Sequence, residues 1–407
     1  MIKRSKLKNG IQIVTYPDPN SKLVTIGYVV KNGSYNERED QTGLSHLIEH
    51  MLFKGTINRT VEQINKDIER VGGYFNACTS YTFTKYYATV PKDYWNIGAD
   101  VISDLIFNHT FPEDGFKSEK EVVKEEIAMY NDDPSSFVLD KINEIMFDKY
   151  KNRQSISGTK EDIDRYTIDD LNELIETNYC ANNLTVLATG NIDHEKLENF
   201  INEYIAKYKI DVEESYITGY EEFKPYDLNS EIHKFERPDV TQTHLSFGMF
   251  GPGYDSKDIP ALKLLVNILG GNNSSLLYDN IREKKGLCYT ISAYIEVLND
   301  VSTIVGYAGL NSKSDVINEI TDIIVNLSDT LTDQMLEDSK KYLIGINDMR
   351  METTAKIHNV ITDKIINDDF SPLEEYVDEI NSVTLEEAKE VAKKYFNKKN
   401  LCFVRLN

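Results

Sequence analysis

The segment at 44–53, Leu-Ser-His-Leu-Ile-Glu-His-Met-Leu-Phe, carries two imidazoles and a carboxylate at a spacing that suits a metal ion. On a helix, at about 100° per residue, Leu44, Leu47, Ile48, Met51 and Leu52 fall within one arc of about 140°, the stripe of a buried amphipathic helix. His46, Glu49 and His50 gather on the opposite side. Two His at i and i+4 can hold one zinc ion through their ring nitrogens, and a Glu just before the second His can reach water at the metal without ligating. The order His-x-x-Glu-His is the zinc-protease pattern His-Glu-x-x-His run backwards. Such a site needs a third protein ligand.

A second helix, expected from about Phe116 to Tyr130, offers one. Taking Glu119 as the wheel's origin, Phe116, Val122, Val123, Glu126 and Tyr130 lie within about 60° of it, while Lys117, Glu121, Lys124 and Glu125 lie on the far side. Glu119 and Glu126 therefore interrupt a face expected to be buried. A carboxylate leaves water only against a partner, because desolvation costs more than packing returns. The wheel also separates neighbours: Glu126 is expected to face in and Glu125 out.

At this point the chain resembles the M16 metallopeptidases, the inverzincin group of mitochondrial processing peptidase, pitrilysin and insulin-degrading enzyme. The likeness rests on HLIEH at 46–50 and the later EKEVVKEEI, and it extends over nearly the whole chain. By matching motif, the resemblance implies His46, His50 and Glu126 as zinc ligands, Glu49 as catalytic base and Glu119 as a second acidic residue supporting the site. The stretch GGYFNACTSYTFTKYYATV at 72–90 resembles the family's substrate-binding strand, which implies Asn76 and Ala77 on the edge where a peptide pairs. GGNNSSLLYDNIREKKGLCYTISAY at 270–294 matches a further family signature and implies Arg282 and Tyr289 as substrate contacts, with Tyr289 also serving catalysis. Taken alone, Arg282 reads as a surface helix cation and Tyr289, past a helix stop at Gly286, as a strand core residue.

Composition bounds the rest. The length of 407 residues suits two or three domains with their own cores, and 40% hydrophobic with 28% charged residues is globular. No apolar run approaches a membrane span. The net charge of -22 argues against a nucleic-acid partner, because binding phosphate depends on Lys and Arg. That acidity is a solvated surface or, in part, the lining of a chamber that attracts basic peptides. The basic start, MIKRSKLKNGIQIV, passes directly into an alternating strand pattern with no export signal. Cys78, Cys180, Cys288 and Cys402 are scattered with no Cys-x-x-Cys pair, which reads as reduced core thiols and a cytoplasmic location.

An internal duplication organises these pieces. TIDDLNELIETNYCANNLTVLATG, from Thr167, parallels TLEEAKEVAKKYFNKKNLCFVRLN, from Thr384: each is a Thr-capped amphipathic helix leading to an Asn-Leu that opens a strand. VTIGYVVKNGS at 24–34 likewise parallels THLSFGMFGPG at 243–253. The expected fold class is α+β, with two homologous domains, each a mainly antiparallel sheet packed against helices, enclosing a substrate cleft. The limits are 1–208 for a zinc-binding catalytic domain, 209–231 for an acidic, Tyr-rich linker and 232–407 for a second domain that contributes substrate contacts. The second half has no metal motif: ALKLLVNILGG, which aligns with the HLIEH region, contains neither His nor Glu. His109, His194, His233, His244 and His358 show no ligand spacing and read as structural or surface residues.

These features and the resemblance predict a zinc-dependent endopeptidase, with one zinc per chain, that cleaves peptides or unfolded polypeptide bound as an added strand in a closed chamber. No nucleic acid or membrane is expected as a partner, and a homodimer is. The alternative is a non-catalytic scaffold or one subunit of a heterodimeric peptidase.

Overall fold

A computed structural model of the chain describes residues 1–150, 153, 155–210, 223–311 and 315–407. The chain forms two compact units. One comprises Met1–Ala128, Lys151–Tyr220 and Arg350–Pro372, and the other Met129–Tyr150, Glu221–Met349 and Leu373–Asn407. Most of the expected linker at 209–231 lies outside the described residues.

The first unit is built on the strands β1 (Lys3–Lys6), β2 (Gln12–Pro17), β3 (Leu23–Val30), β4 (Tyr74–Thr79), β5 (Thr84–Pro91) and β6 (Leu184–Gly190), in the order β1-β2-β6-β3-β5-β4. Only β2 and β6 run parallel. The near-continuous apolar run of β3 reflects burial on both faces. Val24, Ile26 and Tyr28 join a core with Leu47, Ile48, Met51 and Leu52 of the Leu44–Leu52 helix and with Val101, Ile102 and Leu105 of the Trp95–Phe107 helix. On the other face Val14, Val29 and Leu187 are covered by Ile357, Ile361 and Ile365 of the Thr354–Ile366 helix. Thr25 anchors the start of that helix through a 2.8 Å hydroxyl bond to Thr354.

The second unit repeats the plan with β7 (Glu231–Phe235), β8 (Thr243–Pro252), β9 (Cys288–Val297), β10 (Val301–Leu310) and β11 (Cys402–Leu406), in the order β7-β11-β8-β10-β9. Here β7 and β11 are the parallel pair. With β1 set aside, the two orders are the same strand for strand, and the repeat seen in the sequence aligns β3 with β8 and β6 with β11. The two repeated helices also start alike: Thr167 and Thr384 cap Asp170 and Glu387 in reciprocal capping boxes. Leu245, Phe247 and Met249 of β8 face a core with Leu262, Leu265 and Ile320. The other face meets the Pro134–Met146 helix, where Ser246 Oγ donates to the Val138 carbonyl at 2.7 Å.

The units are thus not contiguous halves, and they cut across the limits 1–208 and 232–407. A helix from early in the chain covers the second sheet, and a helix from late in the chain covers the first. The sequence repeat reports strand order, but nothing in it says which sheet a connecting helix will pack upon.

His358, on the Thr354–Ile366 helix, is 1% exposed, and burial, reinforced by nearby Lys85, pushes its pKa down to about 3. The unfolded chain takes up this proton near pH 6.5 while the fold resists it, so the contribution is intact above that pH. It is lost as pH falls toward 3, by up to about 1.4 kcal/mol per pH unit. The variant His358→Leu should therefore flatten the acid dependence of Tm in that window. Equal slopes for wild type and variant in a thermal melt series would assign the acid sensitivity elsewhere.

Candidate metal centre

The Leu44–Leu52 helix starts at Gly43, whose φ of 85° is left-handed and whose added Cβ would lie 2.5 Å from the Ser157 carbonyl oxygen. Gly43 brings no side-chain cap. The buried carboxylate of Glu37 takes that role, accepting from the Gly43 amide at 2.9 Å and the Ser45 amide at 2.6 Å. Burial pushes the Glu37 pKa up to about 8 against the pull of those amides. The helix then buries Leu44, Leu47, Ile48, Met51 and Leu52, as its periodicity predicts, and turns His46, Glu49 and His50 away from that core.

The second helix spans Glu113–Asp132. It brings Glu126 to the histidines: its Oε2 lies 3.4 Å from His50 Nε2 and 3.9 Å from His46 Nε2. One ligand atom from each of His46, His50 and Glu126 lies within 4.8 Å of the others. Ligands at about 2.0–2.1 Å around a tetrahedral zinc sit roughly 3.3 Å apart, so this group suits such an ion with small side-chain adjustments. Glu126 faces the histidines and Glu125 is exposed, as the wheel predicts. Val122 and Tyr130 depart from it, being 48% and 42% exposed although the wheel sets them on the buried face. Periodicity gives a side chain's direction from the axis but not whether anything lies opposite.

Glu119 sits behind the histidines. Its Oε1 is 3.0 Å from His50 Nδ1 and its Oε2 pairs with the Lys54 ammonium. A carboxylate partner places the hydrogen on Nδ1, which leaves the His50 Nε2 lone pair for a metal. His46 Nδ1 is buried with no hydrogen-bond partner among the described residues.

The site's electrostatics favour a cation. Burial opposes the charge on both imidazoles. For His46 it prevails, with help from His50, and the pKa is lowered. For His50 the bonds to Glu119 and Glu126 outweigh burial and the pKa is raised. Burial likewise acts to raise Glu119, but His50 and Lys54 hold its pKa below the ordinary carboxylate value. Glu49 is raised, chiefly by burial and opposed by a hydrogen bond from Thr79, whose hydroxyl donates to Oε2 at 2.5 Å. Glu49 is not in the converging group.

The remaining sequence candidates fall in two places. Asn76 and Ala77 lie on β4, a sheet edge with no further strand beyond it among the described residues. The Ser80 amide bonds Phe83 across the hairpin, so by the alternation of an antiparallel ladder the Ala77 amide points away from β5, and the Asn76 side chain accepts from it at 2.9 Å. Arg282 and Tyr289 belong to the second unit. Arg282 sits in a π-helical turn, Tyr278–Glu283, with its guanidinium 4.5 Å over the Tyr278 ring and its Nε donating to the Tyr289 carbonyl at 2.9 Å. Tyr289, read from the sequence alone as a strand core residue, is 80% exposed on the edge strand β9. Sequence reasoning missed Glu37, Lys54 and Thr79. Of these only Glu37 leaves a trace, an acidic residue in the loop before a helix that lacks a Ser, Thr, Asp or Asn cap.

Comparison with known proteins agrees with this architecture. Residues 12–160 match the family model of insulinase, peptidase family M16, and residues 165–343 match that of the peptidase M16 inactive domain. A Bacillus subtilis protein named as an uncharacterized zinc protease is 32% identical over 403 residues, covering 97% of this chain and 96% of that protein. In fold, a protease from Helicobacter pylori superposes with a TM-score of 0.94 at 22% identity, covering 100% of this chain and 99% of that one. A Pseudomonas fluorescens structure described as a peptidase M16 inactive domain superposes with a TM-score of 0.90 at 17% identity, covering 100% and 97%. With 97% of its length aligned to the first of these relatives and M16 models matching residues 12–160 and 165–343, the chain belongs to the M16 peptidase family.

Proposed function

We propose that the protein is a zinc-dependent endopeptidase that hydrolyses peptides or unfolded polypeptide segments. The observation that carries this reading is the convergence of His46, His50 and Glu126, with Glu49 beside them and outside the ligand group, next to the sheet edge β4. Relatives named as zinc proteases support it. When bound, zinc supplies a Lewis acid that lowers the pKa of water and polarises a carbonyl.

The chain's own residues do the rest. A substrate extends the sheet at β4, pairing with main-chain groups near Asn76 and Ala77, so that affinity depends weakly on its sequence. Glu49 takes a proton from the attacking water and returns it to the leaving amine. Glu119 fixes the tautomer of His50, and Lys54 fixes Glu119. The Tyr289 hydroxyl donates to the oxyanion of the tetrahedral intermediate, and Arg282 holds a substrate carbonyl or carboxylate. The active form is a homodimer, and its location is the cytoplasm, where four thiols that form no disulfide are at home.

Metal analysis of purified protein should find about one zinc per chain. Glu126→Gln should lose most of it and Glu125→Gln should keep it; equal metal in the two would remove Glu126 from the ligand set. Glu49→Gln should retain zinc and bind peptide while hydrolysis falls by several orders of magnitude. Undiminished turnover in that metal-replete variant would mean that another residue activates water. Tyr289→Phe should lower kcat by roughly 10²-fold with little change in KM, whereas Arg282→Ala should raise KM and lower kcat together. Wild-type kinetics in both variants would confine the active site to the first unit.

A further inference from the structure

Thr79 ends β4, paired with Thr84 at the start of β5. Along β4 the side chains alternate, and Phe75, Ala77 and Thr79 share one face. That face packs against the Leu44–Leu52 helix: Phe75 stacks on Phe53, just past the helix end, with ring centroids 5.3 Å apart, and Thr79 reaches Glu49. The backbone around Thr79 is held from two directions. The Ser80 amide bonds Phe83 across the hairpin at 2.7 Å, and the amides of Ser34 and Tyr35 bond the carbonyls of Ser80 and Tyr81 at 3.2 and 2.8 Å. The loop that makes those bonds continues to Glu37, which caps the same helix.

Glu49 stands three residues after one imidazole and next to the other. A carboxylate so placed can join the metal's ligand set, and one that ligates cannot also serve as base. Something must keep it out. The hydroxyl-to-carboxylate bond from Thr79, at 2.5 Å, is of the short charge-assisted kind. It engages Oε2, and the Thr79 backbone also reaches the carboxylate.

We infer that Thr79 is a positioning residue whose hydroxyl tethers Glu49, holding the base carboxylate out of the metal's ligand set and toward the attacking water. The edge strand that a peptide would extend is then the same element that orients the base, so substrate docking and base orientation share one rigid support. The catalytic half of this inference rests on the peptidase reading above; the tether itself does not.

The test uses the full-length chain with Thr79→Val, which keeps shape and β-branching, and Thr79→Ser, which keeps the hydroxyl. Each is loaded with cobalt(II) for its visible absorption and with zinc for hydrolysis of a mixed peptide library. Thr79→Ser should match wild type in both. Thr79→Val should change the position and intensity of the cobalt band as Glu49 enters the ligand set, and should lower kcat by about 10-fold or more with KM nearly unchanged. In a Glu49→Gln background the same Thr79→Val change should leave the cobalt band where it is. Cobalt spectra that coincide for Thr79→Val and wild type overturn the proposal, and so does a spectral change that persists without the Glu49 carboxylate. Should Thr79→Val fail to fold, Thr79→Ala takes its place with the same expected outcomes. A wild-type protein that cleaves no peptide would sink the peptidase reading, while the cobalt comparison would still decide the tether.

Discussion

The arrangement around the histidines depends on a constraint of charge. Glu119 and Glu126 reach two imidazoles at the edge of a hydrophobic core with Glu49 close by, and Lys54 pairs with Glu119. In a medium of low effective dielectric, such a cluster is costly unless positive charge is brought to it. The raised pKa of His50 expresses this, since its carboxylate neighbours draw a proton onto the ring despite burial. A divalent cation meets the same demand at higher charge. The helix pair therefore does more than bring side chains together: by burying carboxylates beside imidazoles it makes a group that suits a cation.

Holding that geometry is the work of the first sheet and its two helical layers. The Leu44–Leu52 helix buries its whole apolar face, so the backbone that carries His46, Glu49 and His50 is fixed by the core. Its start is pinned by a buried carboxylate from 37 and its Glu49 by a hydroxyl from 79, both tied to the loop at 33–37. The sheet in turn is complete only with the Thr354–Ile366 helix. Without it Val14, Val29 and Leu187 would face water, at a cost of about 1.5–3 kcal/mol for each fully exposed side chain. A contiguous N-terminal fragment ending near residue 208 lacks that cover.

What could be read from the sequence, and what could not, follows from the range of each interaction. The His-x-x-Glu-His spacing and the inward phase of Glu119 and Glu126 are properties of single helices, and a helical wheel recovers them. The strand order of the two sheets is foreshadowed by the repeat at Thr167 and Thr384, because repeated segments fold alike. Thr79 to Glu49, Lys54 to Glu119 and Glu37 to the amides of Gly43 and Ser45 are contacts across loops or between elements, and no period marks them. The exposure of Val122 and Tyr130 escaped for the same reason: the wheel shows that they share a side with Glu126 but not that this side is open. The helices that cross between the repeats escaped because amphipathic helices of equal quality can cover either sheet.

The duplication also bears on why the group of His46, His50 and Glu126 lies in the first unit. Both units keep the same strand order, so the position of the Leu44–Leu52 helix recurs as Ile259–Val266. There the residues Ile259, Ala261, Leu262, Leu264, Leu265 and Val266 are all buried, with no imidazole or carboxylate among them. Apolar side chains fill that place with no ion required, whereas in the first unit the same place bears charges that packing alone cannot stabilise. The second unit instead spends its irregular geometry on the π-helical turn at Tyr278–Glu283, which sets Arg282 against the backbone of an exposed Tyr289. One fold copied twice thus differs where each copy departs from regular packing: buried charge in the first, a π-helical turn and an uncovered aromatic edge in the second.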